Sequence, residues 1–380
     1  MVKLKGITWD HPRGYEPLRA VAKIWHEKTG VEVTWDVRTL KEFGDYPIEK
    51  LIADYDFILI DHPYMGEAAS NDLLVPVDTF LDKSFMDFQE SQSVGPSFSS
   101  YGYNGHWWAL PIDAAAQVAA YRKDIIDLLD WKLPRDLKQL AEAASKLPVS
   151  YKIGVPLCAT DIWCVFLSLC AQYAGEAVFN EDGVDAETGA WALDQIRSWK
   201  GFLYKDSFQM NPIQMLEHMS VADDIVYIPF TFGYTNYARK KWQKNRIHFA
   251  DVPGSGPGKK SSVIGGAGLA ISARTKEISE CVSFMQFILG GDIQKTAYYQ
   301  NGGQPAHLDA WLDNDNNEDC SGFFADTLST MEHAYVRPRM KGFNRFQETA
   351  AGLIHSAAQE NGPTFTIMEK INKLFKSCCA

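Results

Sequence analysis

Along the first sixty residues the apolar positions change period several times. Residues 4–9 have the apolar, β-rich density of a strand, followed by a turn at His11-Pro12-Arg13-Gly14. Leu18, Val21, Ala22 and Trp25 then recur at helical spacing until Thr29-Gly30 stops the run. Residues 31–37 read as a strand again, 43–52 as a helix, and 55–60 as a buried apolar strand. The order β-α-β-α-β is the signature of a mostly parallel sheet covered by helices.

A second block starts after Trp107-Trp108-Ala109-Leu110-Pro111. Its pattern predicts strands at 118–121, 153–157, 225–229 and 247–252, with helices at 137–147, 161–173 and 188–204. A Gly/Pro/Ser-rich break at 253–258 marks a surface loop, and the glycine-broken run 263–272 reads as one more strand. The remainder is mainly helical, at 276–289, 291–299, 341–358 and 364–377. The chain shows no internal repeat and no low-complexity tract.

The length of 380 residues suits two domains better than one. Hydrophobic residues at 46% and charged residues at 22% allow a real core. A net charge of −11, without any basic block, argues against nucleic acid or an anionic membrane surface as partner. No stretch has the run of about 18–20 apolar residues that a membrane helix requires. The opening Met1-Val2-Lys3-Leu4-Lys5 lacks the apolar core of a signal peptide. The expected location is extracytoplasmic if a leader was removed, and cytoplasmic if Met1 is the true start. The cysteines number seven. Cys158, Cys164 and Cys170 match neither a zinc pattern nor a disulfide framework, while Cys378 and Cys379 sit side by side.

Four segments carry a resemblance. They are Tyr101-Gly102-Tyr103-Asn104-Gly105-His106-Trp107-Trp108-Ala109-Leu110-Pro111 with Tyr121-Arg122-Lys123-Asp124; Val184-Asp185 with Thr188-Gly189 and Ala192-Leu193; residues 263–272; and Gly302-Gly303-Gln304-Pro305-Ala306. In this order they resemble bacterial extracellular solute-binding proteins of the maltose-binding type, the receptors of ATP-driven (ABC) importers. The resemblance implies an α/β periplasmic-binding-protein-like fold: two α/β lobes, a ligand cleft and hinge crossovers. Residues 1–111 with 265–306 would form the first lobe, and 112–264 with 307–380 the second. Such folds bind ligands at the carboxyl ends of sheet strands. The chain departs from the family's usual pattern in its histidines, with Trp9-Asp10-His11-Pro12-Arg13 after the first strand and Asp61-His62-Pro63 after the third.

In a parallel sheet both of those loops open on one edge, so Asp10, His11, Arg13, Asp61 and His62 are expected to converge. Arg13 offers a planar donor fork for a carboxylate, phosphate or sulfonate. The alternative is that Asp10 and Asp61 cap the following helices while Arg13 pairs with one of them. Tyr64, Trp107, Trp108, Tyr234 and Tyr237 supply ring faces for sugar C–H surfaces, and Asn236 a polar partner, with core packing as the alternative. Of the adjacent Trp107 and Trp108, one is expected to face the core and the other the cleft. Asp113 and Gln117 flank the first crossover, as ligand contacts or as partners of hinge backbone. Gly266 admits close backbone approach, and Gln304 is a further polar contact.

The leading expectation is a binding protein that captures a sugar, polyol or small sugar-like acid for an ABC importer, with no cofactor and no metal. Arg13 and the two histidines tilt it toward an acid. The alternative is a cytosolic enzyme on the same fold, using His11, His62 and Asp61 for acid/base work on a small acid. A cytosolic sensing module is a third reading.

Overall fold

The computed structural model describes residues 2–45, 48–256 and 258–379. It divides into two compact units. Unit 1 comprises Met1–Ala115, Gly265–Asn316 and Arg337–Asn344; unit 2 comprises Ala116–Ile264, Asn317–Val336 and Arg345–Ala380. Residues 307–316 and 337–344, which the sequence reading placed with 307–380 in the second lobe, pack in unit 1. Short contacts hold them there. His307 bridges to Ser93, the Trp311 indole donates to Pro305 O at 2.7 Å, and Arg339 donates to Ser99 O at 2.6 Å and Gly102 O at 2.7 Å.

In unit 1, β1 (Lys3–Trp9), α1 (Pro12–Thr29), β2 (Glu32–Arg38) and β3 (Phe57–Ile60) follow the pattern read from the sequence. β1 lies parallel to both β2 and β3. Pro at the first turn of α1 and left-handed Gly30 at its end set the helix limits. The expected helix 43–52 is instead a short helix Leu40–Asp45 and a 3-10 turn Ile48–Lys50, and residues 46–47 lie outside the described residues. Alternation in β3 feeds two apolar clusters: Phe57 and Leu59 join Leu4, Trp35 and Phe284, while Ile58 and Ile60 join Ile7, Met65 and Tyr101. Gly6 lies under the Trp35 ring, where a Cβ would come within 2.3 Å of it.

Two strands run through both units. β4 (Leu110–Tyr121) leaves unit 1 after Ala115, and β8 (Ile264–Ile271) enters it at Gly265. β4 is longer than the 118–121 read from the sequence, because the Ala-rich stretch 114–116 has little β character of its own and is buried along its length. β8 pairs antiparallel with β3 in the unit 1 sheet.

In unit 2, β6 (Ile225–Phe232) pairs antiparallel with β4 and parallel with β5 (Lys152–Ile153), and β7 (His248–Ala250) pairs with β4. β5 stops short of the expected 153–157, since Pro156 offers no N–H to a ladder. α2 (Ala159–Ala174) and α3 (Ala186–Ser198) pack against each other, and within α2 Trp163 stacks on Phe166 at 5.4 Å. α4 (Pro212–Val221) went unread, although Asn211, Pro212 and Gln214 form a capping box with proline in the first turn. α5 (Ile278–Ile288) belongs to unit 1, as does a π-helical turn Gln294–Tyr298 within the expected helix 291–299. α6 (Phe343–Gln359) and α7 (Thr364–Cys379) close the chain. Among the described residues no helix is long and apolar enough to cross a membrane.

Candidate functional site

Because β1 and β3 are parallel neighbours, the segments that follow them emerge at one edge of the unit 1 sheet. There two ion pairs form, Arg13 with buried Asp113 and Arg337 with half-buried Asp61. Arg13 donates from Nε to Asp113 Oδ2 at 2.8 Å and from Nη2 to Asp113 Oδ1 at 2.5 Å. The two side chains are 4% and 1% exposed, so the guanidinium fork read from the sequence as a ligand clamp grips a carboxylate of the protein itself. Burial pushes Asp113 up, and the charge and hydrogen bonds of Arg13 offset that only in part. His11 caps α1, its Nδ1 accepting from Arg13 N at 3.1 Å. Burial first, then the Arg13 charge, pushes His11 down to about 3. Asp10 is exposed, and its backbone N donates to Arg38 O at 2.7 Å.

After β3, Asp61 Oδ1 accepts from His62 N at 2.8 Å and Oδ2 from Arg337 Nη2 at 2.6 Å. Burial pushes the Asp61 carboxyl up, but Arg337 foremost and then His62 outweigh it, holding the group below the usual carboxylate range. His62 is buried, and burial with the Arg337 charge pushes it down to about 4. Its Nδ1 stands 3.1 Å from Asp61 Oδ1 without the geometry of a hydrogen bond, and its Nε2 is buried without a partner. A catalytic base must reach a substrate proton; an imidazole enclosed on both nitrogens does not. The Tyr101 ring meets His62 edge-on at 6.5 Å, and its hydroxyl, pushed up first by burial, feels the charges of both Asp61 and Asp113. Tyr64 is buried in the same apolar cluster.

Trp107 and Trp108 go to different clusters of unit 1. Trp107 packs against Phe98 at 5.2 Å, while Trp108 joins the second cluster and donates to Tyr103 O at 3.0 Å. Gln304 is buried and donates to Ala114 O at 2.8 Å. Gly266, at φ 102°, has room for no side chain, since a Cβ would lie 2.3 Å from Asp113 O.

In unit 2, Gln117 is buried and its Oε1 accepts from Ser168 Oγ at 2.7 Å. After β6 the chain turns through a 3-10 segment Thr235–Tyr237. Tyr234 and Tyr237 are buried, meeting edge-on at 6.4 Å, and Tyr237 continues to Trp242 at 4.7 Å. Asn236 lies half-buried between them in sequence. Buried Arg239 reaches back to Thr235 Oγ1 at 3.4 Å.

The structure thus gathers His11, Arg13 and Asp113 in one cluster and Asp61 and His62 in another, both in unit 1. Arg337, Arg239 and Trp242 escaped the sequence reading. For Arg337 the available signal was Arg337-Pro338-Arg339, two cations flanking a rigid proline. Among the described residues no group of three or more His, Cys, Asp or Glu side chains is placed to hold a metal.

The comparisons with known proteins agree with this architecture. The pattern of the family described as bacterial extracellular solute-binding protein matches residues 9–295. A maltotriose-binding protein of Pyrococcus abyssi is 27% identical over 152 residues, which is 39% of this chain but only 30% of that relative's length. Among solved structures, the maltose-bound MalE3 of T. maritima aligns with a TM-score of 0.82 at 19% identity, covering 99% of this chain and 100% of its own. A ribitol complex of an ABC transporter solute-binding protein from Agrobacterium radiobacter aligns at 0.81 and 18% identity, covering 98% and 97%. With a family match across most of its length and the same α/β architecture, this chain belongs to the bacterial extracellular solute-binding protein family.

Proposed function

We propose that this protein captures a small uncharged polyhydroxylated solute, a sugar or polyol, and delivers it to an ABC importer. The two units act as its lobes. The observation that carries the uncharged assignment is the pairing of Arg13 with Asp113 and of Arg337 with Asp61. Both guanidiniums are already matched by carboxylates of the protein, Asp113 buried and Asp61 half-buried, which leaves neither fork to grip an acid. An acid gripped by Arg13 would have to displace a buried ion pair, which costs several kcal/mol. Hydroxyl groups need only donors and acceptors, with ring faces beside their C–H surfaces. The proteins solved with maltose, ribitol and tagatose hold ligands of that class, in support of the reading.

In this reading Asp10 and His11 from unit 1, and Tyr234, Asn236 and Tyr237 from unit 2, are the contacts to the solute. Trp107, Trp108 and Tyr64 shape its surroundings, while Asp113, Gln117, Gly266 and Gln304 hold the backbone that carries them. Calorimetry with paired neutral sugars and the matching sugar acids tests it. The neutral member should bind, with affinity nearly independent of salt. Preferential binding of the acid, weakening as salt rises, overturns the uncharged assignment. Delivery is tested by whether the loaded protein stimulates ATP hydrolysis by its importer in proteoliposomes; no stimulation by either the loaded or the empty form rejects it.

A further inference from the structure

The last turn of α7 carries Cys378 and Cys379, both half-exposed and both free thiols. Nothing in solute capture uses them. We propose that this adjacent pair is a chelating site for soft, thiophilic centres, with trivalent arsenicals as the matching ligand class.

The helix keeps the pair available. Consecutive Cα atoms across a trans peptide are about 3.8 Å apart, whereas a disulfide requires about 4.4–6.8 Å. Cys378 and Cys379 therefore cannot close on each other without leaving the helix. A bridging atom relaxes the demand on the sulfurs themselves: adjacent helical side chains do not face each other, and two bonds of about 2.3 Å reach across a wider S···S gap than one S–S bond of about 2.05 Å. Soft thiolate donors also select soft centres over hard cations. The surroundings do not compete. Lys376, in the same turn, is held by Asp182 at 2.5 Å, and the Ser377 hydroxyl donates to Leu374 O at 2.7 Å, leaving only a long contact of 3.8 Å to Cys378 Sγ. Burial and the neighbouring Cys378 push the Cys379 thiol up to about 11, which makes that sulfur slow in disulfide exchange.

The reaction is a condensation. The oxygen of an arsenoxide leaves as water with the two thiol protons, two As–S bonds form, and arsenic remains trivalent, so no oxidant or reductant is required. None of the other cysteines has a cysteine beside it in sequence. Cys158, Cys164 and Cys170 recur every six residues, about 9 Å along the helix axis and on different faces.

The test is intact-mass spectrometry of the reduced full-length chain with phenylarsine oxide. The expected result is one adduct that survives excess monothiol and is removed by a dithiol. C378S and C379S should each lose it, with affinity falling roughly tenfold or more as the chelate is broken, while C158S keeps it. Far-UV circular dichroism establishes that each variant is folded. No adduct on the parent chain overturns the proposal, as does an adduct that persists in the C378S/C379S double variant. A parent chain that oxidises internally at 378–379 in air overturns the argument from helix geometry.

Discussion

Asp113 and Arg13 are the residues where a single change has the largest expected effect. Removing one partner leaves the other charge buried and uncompensated. Asp113→Ala should cost about 3–5 kcal/mol in urea unfolding, while the volume-matched double change Asp113→Leu with Arg13→Met should restore most of it. Equal losses in the single and double variants would mean that the pair does not act as a unit. The histidines are visible in the pH dependence. His62 is neutral in the folded chain down to about 4, whereas an unfolded histidine takes a proton below about 6.5. Between those values the unfolded state binds more protons, so stability falls as pH drops from 6.5 to 4 and this contribution levels off below. For His62 the loss is on the order of 3 kcal/mol, and His11 contributes in the same direction. His62→Gln should therefore flatten the stability profile over that window; an unchanged slope refutes the assignment. Asp61 acts at lower pH. Its stabilisation is present above the unfolded value of about 3.9 and is lost as pH falls through its depressed folded value.

At the scale of elements, periodic apolar patterns and caps were legible, while strand extent was not. α1 and β1 to β3 followed from spacing because their apolar positions alternate or recur on one face. The stretch 114–116 in β4 carries alanines, which have no strand preference, and becomes strand because its neighbours pair with it. Two glycines mark where chain segments press together. Gly266→Ala would set a Cβ 2.3 Å from Asp113 O at a positive φ, with an expected cost of about 2 kcal/mol or more. Gly66→Ala would meet Arg339 O at 1.9 Å and should displace the segment Arg337–Asn344 that brings Arg337 to Asp61. Hydrogen exchange over residues 337–344 reads that displacement, and unchanged protection would contradict it. At α4, Asn211→Ala should cost about 1 kcal/mol through loss of the capping box.

For the whole molecule, a bound solute stabilises the folded state by mass action, about 2.7 kcal/mol at a hundredfold excess over Kd. The melting temperature should therefore climb with the concentration of a neutral sugar or polyol and stay flat with the corresponding acid. A rise with the acid alone would reverse the proposed ligand class. The change of apolar period was enough to read an α/β chain, and the resemblance of four segments in order placed it among solute-binding proteins, because those signals are local and additive along the sequence. The partners of its arginines were not legible in the same way. Arg13 meets Asp113 across 100 residues and Arg337 meets Asp61 across 276. Which carboxylate a buried cation finds depends on where strands end and which segments return to a sheet edge. A sequence shows that a fork is present; only the fold decides whether it grips a ligand or the protein's own aspartate.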